Sequence, residues 1–117
     1  MINQDKLNGC DPRVEALCKT LDAYAKLKQS EIIITSTFEG THTPTSWHYK
    51  KRVVDLVFKD INHFKICSEI YFMCQNQKDT FKGVTEFEMV RRADGQQHFH
   101  FAFGDEKSLE TFTGVYS

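Results

Sequence analysis

The chain has 117 residues, of which 40% are hydrophobic and 13% are aromatic, and its formal net charge at pH 7 is −1. This length and apolar content predict one globular domain, residues 1–117, and argue against a second domain. Acidic and basic residues are interspersed along the chain, so a broad basic surface is excluded and we expect no nucleic-acid partner.

Two main helices and four strands are predicted in chain order. Asp11 before Pro12 marks a helix start, because an N-cap acceptor precedes a residue that tolerates the first helical position. Helical spacing and β-branched or alternating runs predict a helix over 12–27, strands over 31–35 and 52–58, a helix over 61–75, and strands over 84–91 and 97–103. This order predicts an α+β domain with a small, mostly antiparallel sheet. On the second helix, we expect His63 to face solvent.

The cysteines and the distribution of apolar residues along the sequence indicate the cellular compartment. Cys67 and Cys74 share one face of the second predicted helix and are expected to be reduced core thiols, which favours a reducing environment. The chain has no signal-peptide pattern and no run of about 18 apolar residues, the length that a membrane-spanning helix needs. We therefore expect synthesis in the cytoplasm without a signal peptide, and no membrane partner.

Asp55 is an acidic residue in an otherwise apolar strand. It alternates with Val53 and Val57 on one face of the strand predicted over 52–58. A carboxylate on a buried face costs several kcal/mol unless it is hydrogen-bonded, ion-paired or bound to a metal. The sequence therefore predicts that Asp55 has a partner.

Two histidines alternate with phenylalanines in the stretch HFHFAF, residues 98–103. His98 and His100 share one strand face and the phenylalanines share the other, which is typical of a core. With His48 and Asp55, these imidazoles offer the nitrogen and oxygen donors that suit zinc. Two simpler interpretations remain open: a His48–Asp55 hydrogen bond without metal, and an exposed polar strand face at the two histidines.

The stretch SWHYKKRVVDL, residues 46–56, resembles the S-x-H-x-x-G-x-A-x-D signature of the M15 zinc peptidases. These are D-alanyl-D-alanine carboxypeptidases and L-alanyl-D-glutamate endopeptidases that cut bacterial wall peptides. The stretch is also similar to the matching segment of the hedgehog N-terminal signalling domain. The likeness covers roughly residues 10–103 in the same element order, and it implies a hedgehog/DD-peptidase-like fold.

The resemblance implies that His48, Asp55 and His100 bind Zn²⁺. It also implies that His98 and a loop histidine, His42, stabilise the oxyanion of the reaction or steer the substrate.

For the proton acceptor, the resemblance implies Asp94, although an Asp-Gly pair also commonly shapes a hairpin turn. The position that carries the acid in many wall peptidases is Gln97 here, and Lys51 replaces the glycine of the signature. Lys50, Lys51 or Arg52 could supply the charge for a substrate carboxylate, since the family's arginine is missing.

The expected function is that of a zinc-dependent metallopeptidase, a hydrolase of peptidoglycan stem peptides or crosslinks. The similar size of phage endolysins favours a phage-type lytic enzyme that degrades the bacterial cell wall, and we expect a monomer. The alternative is a catalytically inactive zinc-containing binding module with the same fold, which Gln97 and Lys51 favour. A metal-free structural protein is the third possibility.

Overall fold

The computed structural model describes residues 4–37, 52–91, 94–104 and 113–116. The helices are α1 Gln4–Leu7, α2 Pro12–Leu27 and α3 Phe64–Asn76, followed by a 3-10 helix, Asp79–Phe81. The strands are β1 Ile32–Ser36, β2 Val53–Phe58, β3 Val84–Arg91, β4 Gln97–Phe103 and β5 Thr113–Tyr116.

The five described strands form one sheet in the order β1-β2-β4-β3-β5. The pairs β1–β2, β2–β4 and β3–β4 are antiparallel, and β5 lies parallel to β3. The α+β class with a mostly antiparallel sheet and two main helices is therefore confirmed. None of the helices in the described part of the chain is long and apolar enough to cross a membrane.

Local side chains accept a backbone N–H at the start of both main helices. At α2, the Asp11 carboxylate accepts the N–H of Arg13 at 2.9 Å, as the N-cap prediction requires. At α3, the helix starts three residues later than expected. Asp60 has a left-handed φ of 60°, and the Asn62 side chain accepts the N–H of Phe64 at 3.0 Å, so a turn occupies the predicted first residues.

The core lies between the helices and one face of the sheet. On that face, Phe87, Phe99, Phe101 and Phe103 are fully buried, as the alternation in β4 predicts. The ring centroids of Phe87 and Phe101 lie 5.2 Å apart, which is within the range of favourable aromatic pairs. Residues of α2 and α3 complete this cluster, including the buried thiols of Cys67 and Cys74. The opposite face of the sheet is therefore not covered by these helices and carries different side chains.

The prediction that His63 faces solvent is wrong. His63 is 3% exposed and precedes α3 as its N-cap residue, so it does not lie on the outer helical surface. Its ring packs against Phe58 of β2 and Phe99 of β4. The later start of α3 explains the error, because helical spacing from residue 61 gave the wrong direction for this side chain.

Removal of the buried aromatic ring of Phe87 should destabilise the protein strongly. We expect Phe87→Ala to lower the free energy of unfolding by about 3–5 kcal/mol, because it removes a fully buried ring and leaves a cavity. Phe72→Ala is the matched control, since Phe72 is 58% exposed, and it should change that free energy by no more than about 0.5 kcal/mol. Urea denaturation followed by circular dichroism measures both. Equal effects of the two substitutions would contradict the assigned core.

Candidate functional site

Asp55 and His100 meet on the sheet face opposite the helices. They are directly paired in the β2–β4 register, so their side chains project to the same side. His100 Nδ1 lies 2.6 Å from Asp55 Oδ1, and the two side chains are 15% and 16% exposed. The structure thus gives Asp55 the partner that its apolar surroundings require. That partner is 45 residues away in sequence.

A second carboxylate contacts the other nitrogen of the same ring. His100 Nε2 lies 2.7 Å from Glu86 Oε1, and the Glu86 side chain is 42% exposed. Glu86 lies on β3, beside an irregularity in the register between Val84 and Glu86. The direct backbone partner of His100 on β3 is instead Glu88. The neighbouring strands β2, β4 and β3 therefore supply an acid, an imidazole and a second acid, and the imidazole contacts both acids.

Sequence reasoning missed Glu86. Glu86 and Glu88 alternate with buried residues along β3, and this pattern places both on the face of His100 once the β3–β4 hairpin is assumed. The pattern does not distinguish the two acids, because both lie on the face of His100 and the direction of each side chain along the sheet decides which carboxylate reaches the ring.

The protonation of His100 follows from these two contacts. Burial alone lowers the pKa of a histidine, but the hydrogen bonds and charges of Asp55 and Glu86 outweigh it and raise the pKa of His100 to about 9. At pH 7 the metal-free ring is therefore an imidazolium that donates one N–H to each carboxylate. The charge of the ring offsets two acids, of which Asp55 is mostly shielded from water and Glu86 is partly exposed.

The same donors partly fit a zinc site. His100 Nδ1 and Asp55 Oδ1 converge on one point, where a metal ion would take the place of the shared proton. Glu86 on Nε2 is the outer carboxylate that commonly orients a histidine ligand. Among the described residues, no group of three or more His, Cys, Asp or Glu side chains is arranged to hold a metal. The third expected ligand, His48, and the loop residue His42 lie outside the described residues.

His98 lies two residues before His100 on the same strand and borders a cavity of about 190 Å³. Asp55 and Val57 of β2 and the two residues that end β1, Thr35 and Ser36, line the same cavity, as do Gln96 and Gln97. The cavity therefore joins one expected ligand, Asp55, to the histidine expected to contact substrate.

The two candidate positions for the proton acceptor have other contacts. Asp94 is exposed, and its Oδ1 accepts the N–H of Gln96 at 3.0 Å, which is the turn-forming role. The side-chain oxygen of Gln97 accepts the N–H of His63 at 3.3 Å. Gln97 thus helps to hold the start of α3, whereas Asp94 shapes the β3–β4 turn and keeps a second carboxylate oxygen.

Comparisons of the chain with protein-family models, with curated proteins and with solved structures find no match. Its chemistry is therefore inferred from its own residues, above all from the contacts of His100 with Asp55 and Glu86.

The stability of the metal-free protein should fall as pH rises from about 6.5 to about 9. Below pH 6.5 His100 is protonated in both the folded and the unfolded chain; above it, only the folded chain keeps the proton. The loss should reach at most about 3 kcal/mol. Chemical denaturation in the presence of a chelator measures it, and His100→Gln should abolish this pH dependence.

Glu86→Gln and Glu88→Gln form a matched pair for the same titration. Glu86→Gln removes a carboxylate that touches the ring, so the decline in stability should begin at lower pH. Glu88→Gln alters the neighbouring acid on the same strand face and should leave the curve close to that of the wild type. An unchanged curve in the His100→Gln protein would show that another group causes the decline.

Proposed function

We propose that this protein is a zinc-dependent metallopeptidase that cleaves peptidoglycan stem peptides or crosslinks. One observation carries the proposal: two expected ligands far apart in sequence, Asp55 and His100, have donor atoms 2.6 Å apart. They occupy the positions that the M15 resemblance assigns to zinc ligands. In this proposal the fold is hedgehog/DD-peptidase-like and the site of action is the bacterial cell wall, as for a phage-type lytic enzyme.

His48 is the proposed third ligand. It precedes Asp55 by seven residues, a separation over which two side chains can bind the same metal ion. Two histidines and one carboxylate are a ligand set typical of catalytic zinc, which leaves one coordination position for water or substrate. Glu86 would fix the His100 ring so that Nδ1 faces the metal.

The residues around the proposed metal have separate tasks. Bound zinc would supply Lewis acidity toward water and toward the scissile carbonyl. His98, on the rim of the cavity beside Asp55, would donate a hydrogen bond to the oxyanion that develops on the substrate, with His42 in a similar role. Asp94 would accept the proton of the attacking water and pass it to the leaving amine.

A second candidate function is a zinc-containing binding module without catalysis. Two observations favour it: the Asp94 carboxylate is engaged in the turn, and the usual acid position holds an amide, Gln97, that contacts the backbone of His63. In such a module the metal would hold β2 and β4 together, and the cavity would bind a ligand without cleaving it.

Metal content and wall hydrolysis separate the two functions. Elemental analysis of the purified chain, stripped of metal and then given zinc, should find about one zinc per chain. His100→Ala and Asp55→Ala should lose that zinc, and the control Glu88→Gln should keep it. Clearing of bacterial walls that stops with a chelator, with new termini found by mass spectrometry, supports the peptidase. Bound zinc without clearing supports the module, and absence of zinc binding contradicts both.

Asp94 has its own test. Asp94→Asn keeps an oxygen that can accept the Gln96 N–H but cannot take a proton at neutral pH, so it separates the turn role from the base role. We expect this variant to bind zinc normally and to lose at least about 100-fold in hydrolysis rate, the scale of a general base. Turnover at the wild-type rate would remove Asp94 from the mechanism.

A further inference from the structure

His63 connects the start of α3 to two strands of the sheet. It has no role in the sequence motif or in the proposed function. Its Nε2 accepts the N–H of Phe58, the last residue of β2, at 3.0 Å. Its ring stacks on that of Phe99 of β4, with centroids 4.7 Å apart and planes at 28°. We propose that His63 is an acid-sensitive latch that closes this junction when neutral and opens it when protonated.

The hydrogen bond from Phe58 defines the neutral ring. Because Nε2 accepts the N–H of Phe58, the ring proton must be on Nδ1. A second proton would have to bind at Nε2, where it would face the N–H of Phe58. Protonation therefore removes the bond and places two donors against each other.

The described surroundings of His63 offer no hydrogen-bond acceptor to a charged ring. His63 is 3% exposed, and its Nδ1 has no hydrogen-bond partner in the described part of the chain. The aromatic rings of Phe58 and Phe99, which also contact each other, pack against it. An imidazolium in this place would be desolvated and without an acceptor, which the protein can relieve only by opening the junction.

One titratable neighbour acts in the same direction as burial. Burial lowers the pKa of His63, and on β4 the positive form of His98 also opposes a second positive ring. β2 contributes Phe58 itself, followed by Lys59 and Asp60, both exposed. On its own element, the Lys65 side chain is exposed as well.

Opening of the junction would also affect the polar face of the sheet, the face opposite the helices that carries His98 and His100. Phe99, on which His63 stacks, lies between His98 and His100 along β4. The side-chain oxygen of Gln97, the residue before His98, also accepts the N–H of His63. Loss of the junction thus removes two contacts that hold the strand carrying both histidines. This consequence does not depend on bound zinc or on peptidase activity.

Hydrogen exchange tests the latch on the wild-type chain. The Phe58 amide should lose protection as the medium is acidified from about pH 7 to about pH 5, by about tenfold or more, because the open form binds the proton with an ordinary histidine pKa and the closed form does not. Exchange is measured by NMR and corrected for the intrinsic pH dependence of amide exchange. Amides in the centre of β3, away from the junction, should lose much less.

Two variants assign the effect. His63→Gln places an amide oxygen near the position of Nε2 and cannot titrate, so its Phe58 protection should be independent of pH in this range. His98→Gln removes the neighbouring titratable ring and should still show the loss. Constant Phe58 protection in the wild type, or an equal loss in His63→Gln, overturns the latch. If His63→Gln does not fold, the wild-type His63 resonances decide, since titration without loss of Phe58 protection also overturns it.

Discussion

The polar face of the sheet depends on one imidazole ring that is held from both sides. His100 of β4 contacts Asp55 of β2 at 2.6 Å and Glu86 of β3 at 2.7 Å, so a single side chain ties together three adjacent strands. An unpaired Asp55 or an unpaired His100 imidazolium would be unfavourable in this mostly shielded position, because each would lose hydration. Asp55 and Glu86 together satisfy both ring nitrogens. The same arrangement leaves two donor atoms that a divalent ion could share in place of the proton.

β4 carries opposite chemistries on its two faces. Phe99 and Phe101 belong to the buried aromatic core, whereas His98 and His100 belong to the polar face. Backbone alternation makes this possible within seven residues. It also couples the two sides, because His63 stacks on Phe99 from the helix side. Burial favours the neutral form of His63, and two carboxylates favour the protonated form of His100. The pKa values of these two histidines, one packed against β4 and the other on it, are therefore shifted in opposite directions.

The sequence predicted the parts of this arrangement that depend on local pattern. The N-cap at Asp11 and the bounds of β3 and β4 were correct because caps, proline and alternation act over a few residues. The need of Asp55 for a partner also followed from its apolar neighbours. The contact of Glu86 and the burial of His63 could not be predicted, since they depend on the direction of a side chain across paired strands and on a turn that delays α3. Local pattern carries no information about either until the strands are paired.

The most direct test of the central claim is nitrogen NMR of the His100 ring, in metal-free protein near neutral pH and again after addition of one equivalent of zinc. Both ring nitrogens should carry protons in the metal-free protein, and zinc should remove the proton from Nδ1 while the Nε2–H keeps its hydrogen bond to Glu86. A neutral His100 ring in the metal-free protein would contradict the paired carboxylates. A ring that is indifferent to zinc would contradict the metal site built on them.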